Sequence, residues 1–159
     1  MATWAATFEE QSVLAGRLWY IDKTFVLPAT SSVSIALASG DTAPAIVALN
    51  IDTNILVGDM EVFEDEAFTG GTSVIIHRVN RNAAQTVKTI ITENVTFTPT
   101  TSPIREVPII GTRNEINGFT GNIGLILKKN ANTILRITNN DPQTKTIFLN
   151  LVFGESDLF

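Results

Sequence analysis

From Arg17 to the end of the chain, apolar and polar residues alternate with a period of two, and no stretch shows the helical recurrence of apolar positions. This feature restricts the fold more than any other. Successive side chains of a strand point to opposite faces, whereas a core-facing helix repeats its apolar positions every three or four residues. Leu18 to Leu27 sets Ile21, Phe25 and Leu27 on one face and Tyr20, Asp22, Thr24 and Val26 on the other. Val33, Ile35 and Leu37 alternate with Ser32, Ser34 and Ala36, which predicts a half-buried strand. In the last segment, Thr144 to Phe153, Ile147, Leu149, Leu151 and Phe153 oppose Thr146, Phe148, Asn150 and Val152. Ala45 to Ile51 is almost wholly apolar, which predicts a central strand.

The remaining segments read in the same style. Ile55 to Phe63 predicts a strand interrupted by a bulge or bend at Gly58-Asp59, and Thr72 to Val79 and Thr86 to Phe97 predict two more. Arg105 to Ile110 contains Pro108, which cannot donate to a ladder and so marks an edge strand or bulge. Gly111 to Gly121 reads as irregular, with Asn117-Gly118 as a turn, and Ile123 to Lys128 and Thr133 to Asn139 complete the set. Nine or ten short strands with polar turns predict an all-β protein, an antiparallel β-sandwich of jelly-roll-like or immunoglobulin-like type. A βαβ arrangement is excluded, since no connection carries an amphipathic helix. Residues 1–16 differ. Thr7 and Glu10 have capping-box spacing and Gly16 suits a helix C′ position, so Met1 to Ala6 reads as an extended arm followed by a short helix, with the sandwich domain spanning 17–159.

Composition then removes whole classes of chemistry. With no cysteine there is no disulfide scaffold, thiolate metal site or thiol nucleophile, and a single histidine excludes a multi-histidine metal centre. A net charge of −5 argues against a dedicated nucleic-acid or anionic-membrane binder, and no apolar run is long enough for a membrane-spanning helix. The N-terminus lacks the basic start and apolar stretch of a secretory signal, so synthesis in the cytoplasm is expected. Charged residues are only 17% of the chain, against 18 Ile, 12 Val and 21 Thr. That balance fits a surface partly covered by other subunits, because interface cores are depleted in charge.

No catalytic constellation emerges, no cofactor is implied, and an enzyme is not expected. His77 shares its face with Ile75 and Val79, which suits a core-edge or interface histidine, and no serine lies in a nucleophile-elbow setting. Glu61, Glu64, Asp65 and Glu66 form the densest charge cluster; they lack calcium-loop spacing and read as a solvated strand end. Gly70-Gly71 precedes a strand and is a turn, not a phosphate cradle. Trp4, Trp19 and Tyr20 are candidates either for a carbohydrate-stacking platform or for aromatic anchors that dock an arm on a partner.

At Glu61-Val62-Phe63-Glu64, followed by Thr69-Gly70-Gly71-Thr72 and a strand ending in Asn80-Arg81-Asn82, the chain resembles small structural proteins encoded among the head genes of tailed bacteriophages. Leu125 to Asn130 and Thr133 to Asn139 match the closing strands of that pattern, and Trp19 to Phe25 its opening, so the resemblance spans residues 17 to 153. It implies a virion structural protein on the capsid exterior, a decoration (cement) protein that forms homotrimers over the major capsid protein. A neck, collar or tail subunit, or a carbohydrate-binding module, is the alternative. In this reading Trp4 and Phe8 are the candidate tether, and Arg78, Arg81 and Asn82 either meet a neighbouring subunit or form a polar hairpin loop.

Overall fold

The alternating segments pair as antiparallel strands in two facing sheets. The computed structural model describes residues 15–110, 114–119 and 125–156, so the expected arm and helix, including Trp4 and Phe8, lie outside the described residues. The strands are β1 (Leu18–Leu27), β2 (Ser31–Ala38), β3 (Ala43–Thr53), β4 (Val57–Glu64), β5 (Thr72–Ser73), β6 (His77–Arg78), β7 (Ile90–Glu93), β8 (Arg105–Ile110), β9 (Asn114–Phe119), β10 (Leu125–Ile126), β11 (Asn132–Asn139) and β12 (Lys145–Ser156). One sheet runs β10-β3-β12-β1-β6, with β9 also on β3; the other runs β5-β7-β2-β11-β4-β8.

The pairings are nested: β1 lies against β12, β2 against β11, β3 against β9 and β10, and β4 against β8. A long ribbon paired in this way and wrapped so that successive strands change sheet is the jelly roll. Between β4 and β8 the chain makes a long excursion. It leaves β4, one strand in from the β8 edge of the second sheet, crosses to the opposite side of the sandwich, and adds β7 to β2 and β6 to β1. The edges of both sheets on that side are thereby covered by the same segment.

Alternation places the core as expected. Ile21, Phe25 and Leu27 pack with Val33, Ile35 and Leu37 and with Ile147, Leu149, Leu151 and Phe153 between the sheets. β3 has a neighbour on each side, as its apolar run predicts. It carries an extra residue at Val47, since Ala48 pairs with Val152 and Ile46 with Phe153. That bulge changes the parity of the strand, so Ile46 and Leu49 both reach the core. Pro108 lies on an edge strand, where its missing N–H breaks no ladder bond.

Five expectations are corrected. Thr72 to Val79 is not one strand but β5 and β6, because the chain changes sheet between them. Thr86 to Phe97 shortens to β7, ended by Asn94 at φ 56°, a left-handed conformation that strands do not propagate. Asn117-Gly118 does not turn the chain. It lies inside β9, where Leu49 pairs with Phe119 and Asn50 with Asn117, and Gly118 is the extra residue of a bulge. Gly58 opens β4 rather than interrupting a strand; a Cβ there would lie 2.2 Å from the Thr138 carbonyl oxygen, so only glycine admits this close approach. Ser34 and Ala36, expected to face solvent, are buried. A second apolar cluster covers that outer face, with Ala36, Phe63 and Ile134 beneath Val95, Phe68 and Phe97. The Arg136 guanidinium lies 4.9 Å from the Phe63 ring centre and 5.4 Å from that of Phe97.

Candidate binding surfaces

The aromatic residues that the sequence singled out near the N-terminus are separated by the pleat. Trp19 faces inward, is 3% exposed, and stacks on Phe153 with ring centres 6.1 Å apart. It is a core residue, and its expected role as a sugar platform or docking anchor is withdrawn, since no partner reaches a ring enclosed between the sheets. Tyr20, one residue on, faces outward and is half-buried; it sits opposite His77 in register, with ring centres 5.3 Å apart. His77 and Ile75 are exposed and Ile76 and Arg78 half-buried, so the expected alternation is present, with Ile75 at 77% exposure on the outside.

Arg78 is turned back on its own loop. Its guanidinium donates to the carbonyls of Ala83 and Gln85, which ties the connection after β6 to the strand. Asn80 organises the same turn by accepting from Asn82 N–H through its side chain and from Ala83 N–H through its carbonyl, both at 3.2 Å. Arg81 and Asn82 stand exposed at its tip. The structure thus gives Arg78 an internal task and leaves Arg81 and Asn82 at the surface.

The acidic run is not a solvated strand end. Glu61 pairs with Arg136 across β4 and β11 at 2.7 Å, and Lys128 bridges Asp65 at 2.6 Å and Glu64 at 3.4 Å. The Lys128 ammonium is held above the usual lysine range, chiefly by its hydrogen bond to Asp65. Glu66 is 1% exposed and accepts four hydrogen bonds, from the N–H and hydroxyl of both Thr100 and Thr101. The alternation of charge with apolar residues did not reveal this, because the partners lie more than thirty residues away. Burial pushes the Glu66 carboxyl up, and the four hydrogen bonds outweigh it, so the group titrates below its ordinary value of 4.5.

A depressed value in the fold means that the ionised clamp contributes stability above the unfolded value, and that this is lost as the pH falls through the folded one. Melting followed from pH 7 downward should therefore show Glu66→Gln well below the parent at neutral pH, with the difference shrinking below about pH 4. A pH-independent difference would mean that the charge on Glu66 is not what pins the 100–101 segment.

Glu155, at the end of β12, works similarly. Its carboxylate accepts from the Lys88 and Thr89 N–H groups and from the Thr89 hydroxyl, at 2.6 to 3.1 Å, and fastens the excursion to the first sheet. Among the described residues no group of three or more His, Cys, Asp or Glu is placed to hold a metal ion.

Among the exposed large apolar side chains of the described residues, which also include Leu56, Val57, Ile104 and Ile126, two groups bear on binding. Along the excursion, Ile75, Val79 and Ile90 are exposed large apolar side chains. On the outer face of the first sheet, Phe148 is 57% exposed and Val26 lies near it, diagonally across β1 and β12. Alternation had already turned Phe148 outward; the signal that would have marked it is an aromatic ring between Thr146 and Asn150 on the outward face of its strand. Comparison with protein families, with curated proteins and with solved structures finds no match to this chain.

Proposed function

We propose that the protein is a virion structural subunit that binds and stabilises the exterior of a phage capsid as a decoration (cement) protein, acting as a homotrimer with the major capsid protein as its partner. The observation that carries this reading is the apolar edge formed by the excursion, where Ile75, Val79 and Ile90 face outward, while many charged side chains are drawn into internal pairs. A surface of this kind is suited to being covered. The jelly roll recurs in viral capsid and lectin domains, which is compatible with the resemblance seen in residues 17 to 153. Three copies joined in one particle-bound unit combine individually weak contacts through effective concentration, so the lattice is held without any single strong bond. Trp4 and Phe8 remain the proposed tether, and Arg81 and Asn82 the exposed polar contacts beside the apolar edge.

Purified protein added to capsids lacking it should bind saturably and raise the melting temperature of the particle, and light scattering of the free protein should give about three times the 17.2 kDa chain mass. Absence of saturable binding, or binding without any gain in capsid melting, counts against the cement role. Removal of residues 1–16 should weaken capsid binding while leaving the sandwich folded; unchanged binding would refute the tether.

A further inference from the structure

The outer face of the first sheet holds an open groove of about 330 Å³ around Phe148, on the side of β12 opposite the core. In register, Phe148 lies between Thr24 of β1 and Asp52 of β3. One pleat along the strands, Asp22, Asn150 and Asn50 form a polar row across the same three strands. The row is already ordered: Asn150 Nδ2 donates to Asp22 Oδ1 at 2.7 Å, and Asn50 Nδ2 approaches Asn150 Oδ1 at 3.4 Å. Each amide has a second hydrogen and each oxygen a second lone pair beyond these bonds. Strand spacing makes the row about 10 Å long, and it lies about 7 Å from the ring position along β12.

We infer that this groove is a binding site for neutral glycans, with Phe148 stacking on the apolar face of a sugar ring and the Asp22–Asn150–Asn50 row bonding to its hydroxyls. Three observations select this chemistry over the alternatives. Carboxylates and carboxamides fixed side by side across strands match adjacent hydroxyl groups, which both donate and accept. The cation that lines the groove, Lys23, has its ammonium held by Glu93 at 2.9 Å. With Asp22 and Asp52 exposed and a net charge of −5, an anionic sugar meets repulsion. An apolar protein interface is disfavoured, because Asp22 and Asp52 would be buried without the charged partners they need. The site differs from the N-terminal aromatic platform expected from sequence, and it does not depend on the capsid proposal, since it lies on a sheet face and the capsid contacts are assigned to the excursion and the arm.

The test is calorimetric or NMR titration of the full chain with linear neutral hexose oligomers, glucan and mannan hexamers, beside sialyllactose and oligogalacturonate as acidic sugars. Saturable binding of a neutral oligomer is expected, with the acidic sugars weaker. Phe148→Ala should weaken it about tenfold or more, with the circular dichroism and melting of the exposed-site variant near the parent's. Asp22→Ala and Asn50→Ala should each weaken binding, and Val26→Ala, which changes the neighbouring apolar surface but not the groove, should not. No saturable binding by either neutral oligomer, equal or tighter binding of the acidic sugars, or affinity that survives Phe148→Ala would overturn the inference. So would concentration-dependent self-association that Phe148→Ala and Val26→Ala both abolish in a protein that binds neither oligomer, because the face would then be a contact between copies. Capsid binding measured on Phe148→Ala separates the two proposals: the variant should still decorate capsids.

Discussion

Trp19→Ala should unfold the protein more readily, by about 3–5 kcal/mol in chemical denaturation, with a drop in melting temperature of about 10 °C or more. The ring is enclosed between the sheets and stacked on Phe153, so its removal leaves a cavity that strands fixed on both sides by ladder bonds cannot collapse to fill. Trp19→Phe should recover part of the loss by keeping an aromatic face towards Phe153. A shift in the denaturation midpoint with unchanged slope is the signature of lost packing in the native state. A folded Trp19→Ala variant of parental stability would place the ring outside the core and restore it as a surface residue. Loss of any binding activity in this variant is uninformative unless stability is measured beside it, which is why the glycan test rests on exposed Phe148.

Asn139→Ala should cost about 3 kcal/mol, a large effect for removing two polar atoms. Asn139 is fully buried at the end of the sandwich where three connections meet. Its Nδ2 donates to the carbonyls of Gln143 at 2.9 Å and Pro28 at 3.1 Å, with that of Leu27 at 3.4 Å, and its Oδ1 accepts from the Asp141 N–H at 3.0 Å. Asp141 extends the network by accepting from the Leu56 N–H at 2.6 Å, through its side chain, and from the Thr30 N–H at 3.2 Å, through its carbonyl. Alanine removes these bonds and leaves the buried Asp141 N–H without its acceptor, while the Pro28 carbonyl keeps the Ser31 hydroxyl, and an unmade bond to a buried group costs more than a made one contributes. Asn139→Asp should be worse at neutral pH, since a carboxylate would face carbonyl oxygens beside Asp141, and should regain stability as the pH is lowered. Denaturant titration at two pH values checks both variants; an Asn139→Ala protein within 0.5 kcal/mol of the parent, on the order of an ordinary surface change, would remove the network from the account of stability.

Much of the fold was legible because a period of two is a local property. The alternation in Leu18 to Leu27 and in the final strand assigned inner and outer faces that the register confirms, and β1 and β8 begin and end where their residues predicted. Reading failed where a local signal met a distant constraint. The Asn117-Gly118 pair has turn chemistry, but the ladder with β3 absorbs it as a bulge. Ser34 and Ala36 have an exposed strand's polarity, but a segment sixty residues away folds over them. The candidate surfaces divide in the same way. Trp19 and Tyr20 are adjacent in sequence and alternation already turns them to opposite faces, but only the packing of the two sheets shows that the Trp19 face is closed by the core and stacked on Phe153.

The groove shows the limit most clearly. The outward direction of Phe148, Asn150 and Asp22 followed from alternation, and composition removed cysteine and multi-histidine chemistry. That these three side chains, with Asn50, share one patch required the neighbour order β3-β12-β1, which joins residues about a hundred positions apart. The amino-acid sequence by itself determined the strand character, the facing of most side chains and the low surface charge, because these depend on residues close along the chain. Which strands lie side by side, which outer face is covered by the excursion, and which polar groups are thereby brought within hydrogen-bonding distance were decided only by the tertiary structure, because cross-strand spacing of about 4.8 Å has no counterpart in sequence distance.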